Sequence, residues 1–552
     1  MSFFSSKKRT FVPLDDLADL EDISFIDRTR AFSTAQFRLM IVMGGLAFLF
    51  TLLVVFLIRS TMLTDTPQYR TTFSYSDAVV LPIIRSDILD RGGRLIATNL
   101  PTVHLYAHPK QVKDKVEAAT KLSQAIPDLT YADIYEKLSR DVSFVYLKRH
   151  LTPAEQYEAN KIGIPGFNFE NTQRRVYPFG SLFSHLIGFV NLEHFGVQGV
   201  EGAYNSVLKD SKAPLKLTVD VGIQEVLRDE LLSAIETFEA VGAIGVILNA
   251  KSFDLIAMVS LPDFDPNHVT QADPETLFNQ ATLGVYELGS VFKVFNTALS
   301  LDSGKVKMTD SFDARKPLKL GRHTVTDFGA KNKILTVTET MVYSSNIASA
   351  LMALKVGKET QQQYLKLFGF FDPVPFDFRE RALPLVPHPW GESTTATVAY
   401  GYGLAVSPLH AARAAAAMVN GGYIKPVSVV ASDTIKPEAQ VISAQTSEQM
   451  RYLMGQVVEA GSAKKASSKD YRLGGKTGTA QKLVKGRYID RKVRTTFIGA
   501  FPIDDPQYVI IVTLDEPKRR PNEPFNTAGW NAAPTAGKII DLVAPMLGVV
   551  GQ

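Results

Sequence analysis

The dominant feature of the hydrophobic pattern is an apolar run of 20 residues over 39–58 that contains no charged side chain. A helix of that length rises about 30 Å, which matches the hydrocarbon core of a bilayer. The other interpretations are a buried globular helix and a cleaved signal peptide. The run is long for either, a 38-residue tail precedes it, and no A-x-A cleavage site follows. The pattern therefore predicts an uncleaved transmembrane helix over 39–58.

The charges around this run predict its orientation. Basic residues near a membrane helix favour the cytoplasmic side, and arginines are denser before the run than after it. The arginines concerned are Arg28, Arg30 and Arg38 before the run, and Arg59 and Arg70 after it. We therefore expect residues 1–38 to form a mostly disordered cytoplasmic tail, with the large C-terminal part of the chain on the opposite side of the membrane.

Residues 59–215 have short strand-like and helical patterns but no set of catalytic residues. Alternation over 87–95 predicts a strand, a turn and a second strand, and 78–84 also resembles a strand. Helical patterns are found over 113–125, 132–138 and 153–162. His104 and His108 lie in an extended stretch, where a spacing of four does not bring two ligands together. We predict that both histidines are structural.

The pattern changes near residue 215, where a short predicted strand over 215–220 precedes a periodic helix over 224–240. One hairpin is predicted soon afterwards and another near the end of the chain, with a helix-rich middle through residue 418. The hairpin strands are predicted over 243–250, 254–261, 496–501 and 508–514. Strands at both ends with helices between them favour an α+β domain over 216–552, in which helices cover one antiparallel sheet.

Composition narrows the class of protein. Hydrophobic residues make up 45% of the 552 and charged residues 21%, as in folded proteins. The net charge of +4 is too small for a nucleic-acid-binding surface, so no nucleic-acid partner is expected. The sequence contains no cysteine, which excludes disulfides, thiolate metal sites and a cysteine nucleophile. We expect neither a metal nor a cofactor.

Candidate chemistry begins at residues 289–293, whose sequence is G-S-V-F-K. The stretch after Gly289 has no Gly or Pro until Gly304, so it predicts the start of a buried helix. Ser290 and Lys293 then share one face, with Cβ atoms about 5–6 Å apart. Apolar neighbours disfavour the ammonium form of Lys293, so it can act as a base toward Ser290. Orphan N–H groups at the helix start can face a developing oxyanion.

Two later motifs decide whether this pair is functional. Ser344 and Asn346 give S-x-N, and residues 476–479 give K-T-G-T. The alternatives are a helix cap for the first motif and a phosphate loop or plain hairpin strand for the second. A phosphate loop is excluded because Asp470 stands where that loop needs a glycine. The order S-x-x-K, S-x-N, K-T-G is that of penicillin-binding proteins and class A β-lactamases, whose middle motif reads S-D-N.

The chain resembles the class B penicillin-binding proteins, the peptidoglycan D,D-transpeptidase type, and most of all their septal, cell-division branch. The resemblance runs from the membrane segment to the C-terminus. Outside the three motifs it rests on D-R-G-G, R-R-V-Y-P, H-L-I-G-F, G-V-E-G and D-E-P-K, which begin at residues 90, 174, 185, 199 and 515. Leu288 and Val291 replace the proline and threonine frequent in the family, and neither change removes a catalytic group. The family's fold implies an elongated, non-catalytic pedestal of the dimerisation type over 59–215 and a penicillin-binding transpeptidase domain over 216–552.

The resemblance implies a role for each residue of the first two motifs. Ser290 is the acylated nucleophile and Lys293 is the base that deprotonates it. Ser344 and Asn346 relay a proton and contact the substrate amide. These four side chains are expected to converge on one site.

The resemblance also implies how the substrate is held. The carboxylate of a substrate or a β-lactam is bound by the third motif, which comprises Lys476, Thr477, Gly478 and Thr479. Along a strand, alternate residues of this motif share a face, and its glycines leave room for a ligand backbone. The oxyanion hole is formed by the backbone N–H groups of Ser290 and Thr479.

The function implied by the resemblance is acyl transfer. Ser290 attacks the D-Ala-D-Ala carbonyl of a peptidoglycan stem peptide, and an amine of a neighbouring stem resolves the acyl-enzyme into a cross-link. β-Lactams trap the same serine. Because no glycosyltransferase module is recognisable, the implied partners are a multi-pass membrane glycosyltransferase and other divisome membrane proteins. The implied location is the bacterial inner membrane, with a single pass, a cytoplasmic N-terminus and a periplasmic catalytic domain.

Other functions stay open at this point. They are an elongation-type class B transpeptidase, a D,D-carboxypeptidase or β-lactamase, a β-lactam sensor, and a structural divisome component. The membrane anchor and the large pedestal argue against the hydrolases, and residues 1–38 are too short for a signalling domain. We also expect docking surfaces on the anchor, where Gly44 and Gly45 permit close helix approach, and on the pedestal at Arg174 and Arg175.

Overall fold

The computed structural model describes residues 25–62, 85–321, 323–432, 438–484 and 487–551. The chain forms two compact units, Met1–Val80 and Leu81–Gln552. The first 24 residues of the predicted tail and the strand predicted over 78–84 lie outside the described residues.

The first unit contains one long helix, α1 (Phe25–Met62). Its segment Phe37–Phe56 is long and apolar enough to cross a membrane, and its side chains are exposed. An exposed helix that is apolar all round suits lipid rather than water. The predicted span is thus found to within two residues. The helix already begins at Phe25, because no Gly or Pro interrupts the sequence before the span, so part of the tail predicted as disordered is helical.

The second unit begins with a domain built around one long strand. Its elements, in chain order, are β1 (Ile88–Leu89), β2 (Leu95–Ala107), α2 (Lys115–Ala125), α3 (Tyr131–Ser139), β3 (Val145–Leu151), α4 (Pro153–Lys161), β4 (Phe167–Val176), α5 (Ser184–Ile187), α6 (Gly199–Ala203), α7 (Asn205–Asp210) and β5 (Leu215–Lys216). Strand β2 pairs antiparallel with β1, β3 and β4, and β1 pairs in parallel with β5. Helices α2, α3 and α4 enclose a small hydrophobic core of their own against this sheet. The helices predicted in this domain are confirmed.

Each of those three helices begins at a side chain that satisfies its free backbone N–H groups. Asp114 caps α2, Thr130 caps α3, and Thr152 caps α4 in a reciprocal capping box with Glu155. Such caps stabilise a helix by about 1 kcal/mol each. The local sequence therefore fixes where the pedestal helices start.

A buried ion-pair cluster joins the start of this domain to its last helices. Glu201, whose side chain is 0% exposed, accepts hydrogen bonds from Arg85 Nε at 2.5 Å and from Arg175 Nε at 2.7 Å. Arg175 Nη1 also donates to the carbonyl oxygen of Ser86 at 2.9 Å. The expectation that Arg175 lies on a docking surface is wrong, because its guanidinium neutralises Glu201 inside the domain.

The predicted strand over 215–220 is shorter than expected and belongs to the pedestal sheet. Strand β5 covers only Leu215–Lys216. Leu217 then forms a bridge with Val430, and Asp220 caps the next helix, so the chain leaves the pedestal sheet within a few residues. The domain boundary between 215 and 216 stays a prediction.

The rest of the chain is an α+β domain. Its elements are α8 (Val221–Phe238), β6 (Gly242–Asn249), β7 (Leu255–Leu261), α9 (Lys293–Asp302), β8 (Ser311–Asp313), β9 (Leu318–Leu320), β10 (His323–Val325), β11 (Ile334–Thr336), α10 (Val337–Tyr343), α11 (Asn346–Val356), α12 (Lys358–Leu367), α13 (Glu392–Ala399), α14 (Pro408–Val419), β12 (Tyr423–Ile424), β13 (Ala439–Gln440), α15 (Ala444–Ala460), β14 (Gly474–Val484), β15 (Arg487–Phe501), β16 (Tyr508–Asp515) and α16 (Ala532–Met546). Both predicted hairpins are confirmed, as β6–β7 and β15–β16.

The two hairpins form one antiparallel sheet of five strands in the order β14-β15-β16-β6-β7. Strand β16 pairs with β6, so the two ends of the domain sequence meet at the centre of the sheet. Every residue of β7 and β16 is buried, because helices cover both faces. Helices α8 and α16 pack on one face, and α14 and α15 pack on the other with α9 behind them. This confirms the predicted antiparallel sheet assembled from both ends and covered by helices.

Candidate active site

Ser290 lies on a short 3₁₀ turn, Gly289–Phe292, that leads directly into α9. Gly289 has a φ of +53°, and a Cβ placed there would lie 2.8 Å from the carbonyl oxygen of Thr479 on β14. A glycine is therefore needed on two grounds, its backbone conformation and its close approach to the strand. The turn brings the backbone of Ser290 next to the third motif, although the two are nearly 200 residues apart in the sequence.

Lys293 is fully buried and aims its amine at the first two motifs. Its Nζ lies 2.6 Å from Ser290 Oγ, 2.9 Å from the carbonyl oxygen of Ser344 and 2.7 Å from Asn346 Oδ1. The Ser344 carbonyl and Asn346 Oδ1 can only accept, so each takes one N–H of the lysine. A neutral amine then has its lone pair left for the hydroxyl proton of Ser290. The geometry is that of a base in contact with its nucleophile.

The electrostatics around Lys293 favour that neutral form. Burial lowers the pKa of Lys293 well below that of a free lysine, and the charge of the nearby Lys476 lowers it further, while Asp327 opposes both effects. Within the described chain, the hydrogen-bond partners of Lys293 Nζ are hydroxyl, carbonyl and amide oxygens and include no carboxylate. The surroundings of Lys293, the predicted base, therefore favour its neutral amine over its ammonium ion.

The second motif lies in the tight connection between α10 and α11. Ser344 ends α10 with a φ of +57°, a left-handed conformation that is costly for a non-glycine residue. Asn346 Nδ2 donates to the Thr326 carbonyl oxygen at 2.9 Å, which turns Oδ1 toward Lys293. Ser345 faces the opposite way and caps α11. The helix-cap interpretation of this motif is thus correct for Ser345, while its two neighbours face the lysine.

Asp327 holds this connection in place and was missed by the sequence analysis. Its carboxylate accepts from Ser345 Oγ at 2.6 Å and from the backbone N–H of Ile347 at 2.9 Å. Both contacts reach across 18 to 20 residues of chain. An aspartate in a loop is an ordinary turn residue, and no local spacing links it to the S-x-N motif.

Lys476, from β14, reaches the same group from the opposite side. Its fully buried Nζ lies 2.9 Å from Ser344 Oγ and 3.0 Å from the carbonyl oxygen of Thr477. Ser344 Oγ is also 3.2 Å from Lys293 Nζ, so one hydroxyl bridges the two lysines. Burial lowers the pKa of Lys476 to about 7.

The remaining residues of the third motif line the open side of the site. Thr477 Oγ1 lies 2.6 Å from Ser462 Oγ, and Thr479 Oγ1 accepts from the backbone N–H of Ala528 at 3.1 Å. A Cβ on Gly478 would lie 2.3 Å from the carbonyl oxygen of Leu288, so the strand needs a glycine where it passes the Ser290 turn. Ser462 is a second residue that the sequence analysis missed, because a serine after α15 carries no signal of its own.

These side chains open into one pocket of about 760 Å³. It is lined by residues of all three motifs, including Ser290, Ser344, Asn346, Thr477 and Thr479. Its outer wall adds aromatic and basic side chains, namely Phe328, Tyr343, Tyr402, Trp530, Lys464 and Lys465. Among the described residues, no aspartate or glutamate lines this pocket. The structure therefore brings together every residue that was predicted for the site, in a pocket suited to an anion.

Comparison with protein families agrees with this arrangement. The family model described as "Penicillin binding protein transpeptidase domain" matches residues 243–541, and the one described as "Penicillin-binding Protein dimerisation domain" matches residues 81–230. The first match covers more than half of the chain and includes all three motifs. The transpeptidase match lies within the α+β domain, and the dimerisation match covers the pedestal from residue 81 and continues into α8.

Individual proteins show the same relationship. The chain is 36% identical over 481 residues to "Probable peptidoglycan D,D-transpeptidase FtsI" of Caulobacter vibrioides, which covers 84% of this chain and 82% of that protein. It is 27% identical over 469 residues to "Peptidoglycan D,D-transpeptidase FtsI" of Escherichia coli, with 79% of each chain covered. The crystal structure of penicillin binding protein 3 from Mycobacterium tuberculosis, complexed with aztreonam, has the same fold at a TM-score of 0.68 and 22% identity, and the match covers 85% of this chain and 98% of that one.

The pedestal, the transpeptidase domain, the three motifs in one pocket and the apolar N-terminal helix occur together in this chain as the resemblance predicted. The chain belongs to the class B penicillin-binding proteins, a family of membrane-anchored, serine-type peptidoglycan D,D-transpeptidases.

Proposed function

We propose that this chain cross-links peptidoglycan stem peptides during septal cell-wall synthesis, through an acyl-enzyme on Ser290. The observation that carries the proposal is the 2.6 Å contact between Ser290 Oγ and the buried Nζ of Lys293. A lysine whose ammonium form is destabilised at that distance can take the hydroxyl proton as the nucleophile attacks.

Acylation begins when Ser290 Oγ attacks the carbonyl carbon between the two terminal D-Ala residues. The Oγ–C bond forms as the hydroxyl proton moves to Lys293, and the carbonyl oxygen becomes an oxyanion. We assign its stabilisation to the backbone N–H groups of Ser290 and Thr479, whose side chains line one pocket and whose backbones meet through Gly289. The C–N bond then breaks. The leaving amine receives a proton through Ser344 Oγ, which contacts both lysines.

The terminal carboxylate of the stem peptide is bound, in this proposal, by the third motif. Thr477 and Thr479 line the pocket, and Lys476 Nζ lies 3.0 Å from the carbonyl oxygen of Thr477. A bound carboxylate favours the charged form of Lys476, whose pKa is lowered in the free protein. Substrate binding and protonation of Lys476 are then coupled. β-Lactams, which carry a carboxylate beside a reactive amide, are expected to occupy the same positions and acylate Ser290.

The second half-reaction is aminolysis. An amine from a neighbouring stem attacks the acyl-enzyme, the new C–N bond forms, and the ester C–O bond to Ser290 breaks. The amine proton returns to Ser290 Oγ through Lys293, which restores the resting site. Attack by water at the same stage would instead be D,D-carboxypeptidase activity.

The membrane orientation and the partners also belong to the proposal. The arginine distribution around α1 supports a cytoplasmic N-terminus, which places the catalytic domain in the periplasm at the inner membrane. The two matching family models describe a transpeptidase and a dimerisation domain, which supports the proposal that another protein polymerises the glycan strands. We propose a multi-pass membrane glycosyltransferase of the divisome as the partner.

The test of the reaction uses the full-length protein in detergent. Penicillin treatment should add one adduct mass, placed by peptide mapping on Ser290, and Ser290→Ala should not react. With a D-Ala-D-Ala pentapeptide donor and an amine acceptor, the main product should be the amide. An adduct on a different serine would overturn the assignment of the nucleophile. A purely hydrolysed product would identify a carboxypeptidase instead.

The test of the septal role and the partner replaces the apolar segment Phe37–Phe56 with an unrelated single-pass helix of equal length. The variant should not complement a division defect, and the polymerase should no longer co-purify with it. Acylation of the variant by a β-lactam is the control that its catalytic domain is folded. Complementation of elongation defects rather than division defects by the native chain would identify an elongation-type transpeptidase.

A further inference from the structure

Lys464 and Lys465 form a basic rim on one side of the active-site pocket. They lie on a 3₁₀ turn, Lys464–Ala466, two and three residues after Ser462. Both side chains are exposed, and neither forms an ion pair with a carboxylate among the described residues. Lys465 Nζ lies 3.5 Å above the ring centroid of Trp530, which is itself part of the pocket wall. That cation–π contact holds the ammonium group at the pocket edge.

The position of this rim relative to the chemistry follows from its neighbours. Ser462 Oγ contacts Thr477 Oγ1 at 2.6 Å, and Lys476 Nζ lies 3.5 Å from the same Ser462 Oγ. Thr477 and Lys476 belong to the third motif, which we assign to the terminal carboxylate of the donor peptide, and Ser462 lies directly beside them. Lys464 and Lys465 come two and three residues after Ser462. Consecutive Cα atoms are about 3.8 Å apart, so the Cα atoms of these lysines lie at most about 8–11 Å from that of Ser462. The rim is thus on the side of the pocket that we assign to the terminal D-Ala.

The acceptor amine must enter from that same side. It attacks the acyl carbon along the path by which the D-Ala amine departed, because aminolysis is the reverse of the acylation step with a different amine. Whatever is attached to the acceptor amine therefore lies where D-Ala lay, and beyond it toward the rim. Within the described part of the chain, the two ammonium groups have no ion-pair partner and no aspartate or glutamate lines the pocket, which favours an acceptor that carries a negative charge at that place.

We propose that Lys464, Lys465 and Trp530 form the acceptor subsite, and that the two lysines select an acceptor amine bearing a carboxylate distal to the one bound by the third motif. This inference rests on the proposed function and deepens it, since it assigns the specificity of the second half-reaction. The lysines contact the acceptor and not the reacting atoms, so they determine specificity without taking part in the bond changes.

Two acceptors that differ in one group provide the test. D-Glutamate and D-glutamine have the same α-amine, α-carboxylate and nearly the same shape, and only D-glutamate has a distal carboxylate. The full-length protein is given a D-Ala-D-Ala pentapeptide donor and either acceptor, and the ratio of amide to hydrolysed product is measured by mass spectrometry. The native protein should transfer to D-glutamate about three- to tenfold better than to D-glutamine at equal concentration, which is the range for one or two charge-assisted contacts.

The double variant Lys464→Gln and Lys465→Gln should abolish this preference. Lys469→Gln is the matched control, because Lys469 is an exposed lysine of the same segment that does not line the pocket, and it should keep the preference. Penicillin acylation of Ser290 in each variant shows that the site is assembled. Equal use of the two acceptors by the native protein, or an unchanged preference in the double variant, would overturn the subsite. Absence of any acyl-enzyme on Ser290 would instead overturn the proposed function.

Discussion

The pedestal and the active site both bury positive charge, and they do so in opposite ways. In the pedestal, Arg85 and Arg175 share one carboxylate, that of Glu201, at 2.5 and 2.7 Å. In the active site, Lys293 and Lys476 are equally buried but contact only hydroxyl, carbonyl and amide oxygens among the described residues. The pedestal uses its charges to hold segments together. The active site leaves its charges uncompensated.

The difference in pairing explains the difference in chemistry. A buried cation beside a carboxylate keeps its proton, and the pair acts as a structural link. A buried amine without a carboxylate loses its proton more easily, so its pKa falls toward the range in which catalysis occurs. Burial lowers the pKa of both site lysines, and it lowers the pKa of Lys293 well below that of a free lysine. The use of lysine rather than arginine in the active site is also significant, because an arginine guanidinium does not lose its proton in proteins.

The largest effect is expected from changing Lys293 to a permanent cation. Lys293→Arg keeps a positive side chain but removes the lone pair that accepts the Ser290 proton, so penicillin acylation should fall by about 10³-fold or more at every accessible pH. Rapid-mixing measurement of adduct formation checks this, with Lys469→Arg as the control. Retention of acylation within tenfold would mean that Lys293 is not the base.

The next largest effect is expected in the pedestal. Glu201→Gln leaves two buried guanidinium groups without a counter-charge, which should lower the stability by about 3–5 kcal/mol. The melting temperature of the soluble domains should fall by roughly 10 °C. Glu193→Gln, at an exposed glutamate of the same domain, should melt like the native protein. Identical melting of both variants would show that the buried pairs are not structural links.

Replacement by arginine should reduce acylation much less at Lys476 than at Lys293. In the proposed mechanism Lys476 carries positive charge beside the substrate carboxylate, so Lys476→Arg should lose about tenfold in acylation and Lys476→Ala about a hundredfold. The two variants are compared by the same adduct assay at one pH. Equal losses for arginine at positions 293 and 476 would contradict the separate roles assigned to the two lysines.

The smallest effect on stability is expected at Arg174. This residue is half-buried on β4, beside the fully buried Arg175, so Arg174→Glu should change stability by only about 0.5 kcal/mol. If the pedestal docks a division partner through this face, complementation of division should drop while acylation persists. Full complementation by both this variant and the anchor replacement would remove the support for docking.

The residues of the candidate site were predictable because their information is local. The turn at 289–293, the pair Ser344 and Asn346, and the glycine-rich strand each carry a recognisable spacing, and the structure brings all three into one pocket. Their order along the chain identified the family. The two hairpins were predictable for a similar reason, because each consists of two short, continuous apolar runs separated by a few turn residues.

The residues that were missed act through distant parts of the chain. Asp327 fixes the S-x-N connection from a loop 18 residues earlier, and Ser462 meets Thr477 only after the chain has turned from α15 into β14. Arg175 was misinterpreted because its partner, Glu201, lies 26 residues away on a short helix. Side-chain pairing at such separations has no periodicity, so it becomes visible only in the folded structure.

The central claim is that burial without a carboxylate partner gives the two site lysines different protonation states in the active form, with Lys293 neutral and Lys476 charged. The most direct measurement is the pH dependence of the second-order rate constant for penicillin acylation. The native rate should rise with pH as Lys293 loses its proton and fall again near pH 7 as Lys476 loses its own.

In Lys476→Arg the fall near pH 7 should disappear while the rise remains. In Lys476→Ala the rise should move to higher pH, because a neighbouring charge that lowers the pKa of Lys293 is gone. A rate that does not rise with pH, or a fall near pH 7 that persists in Lys476→Arg, would contradict the claim.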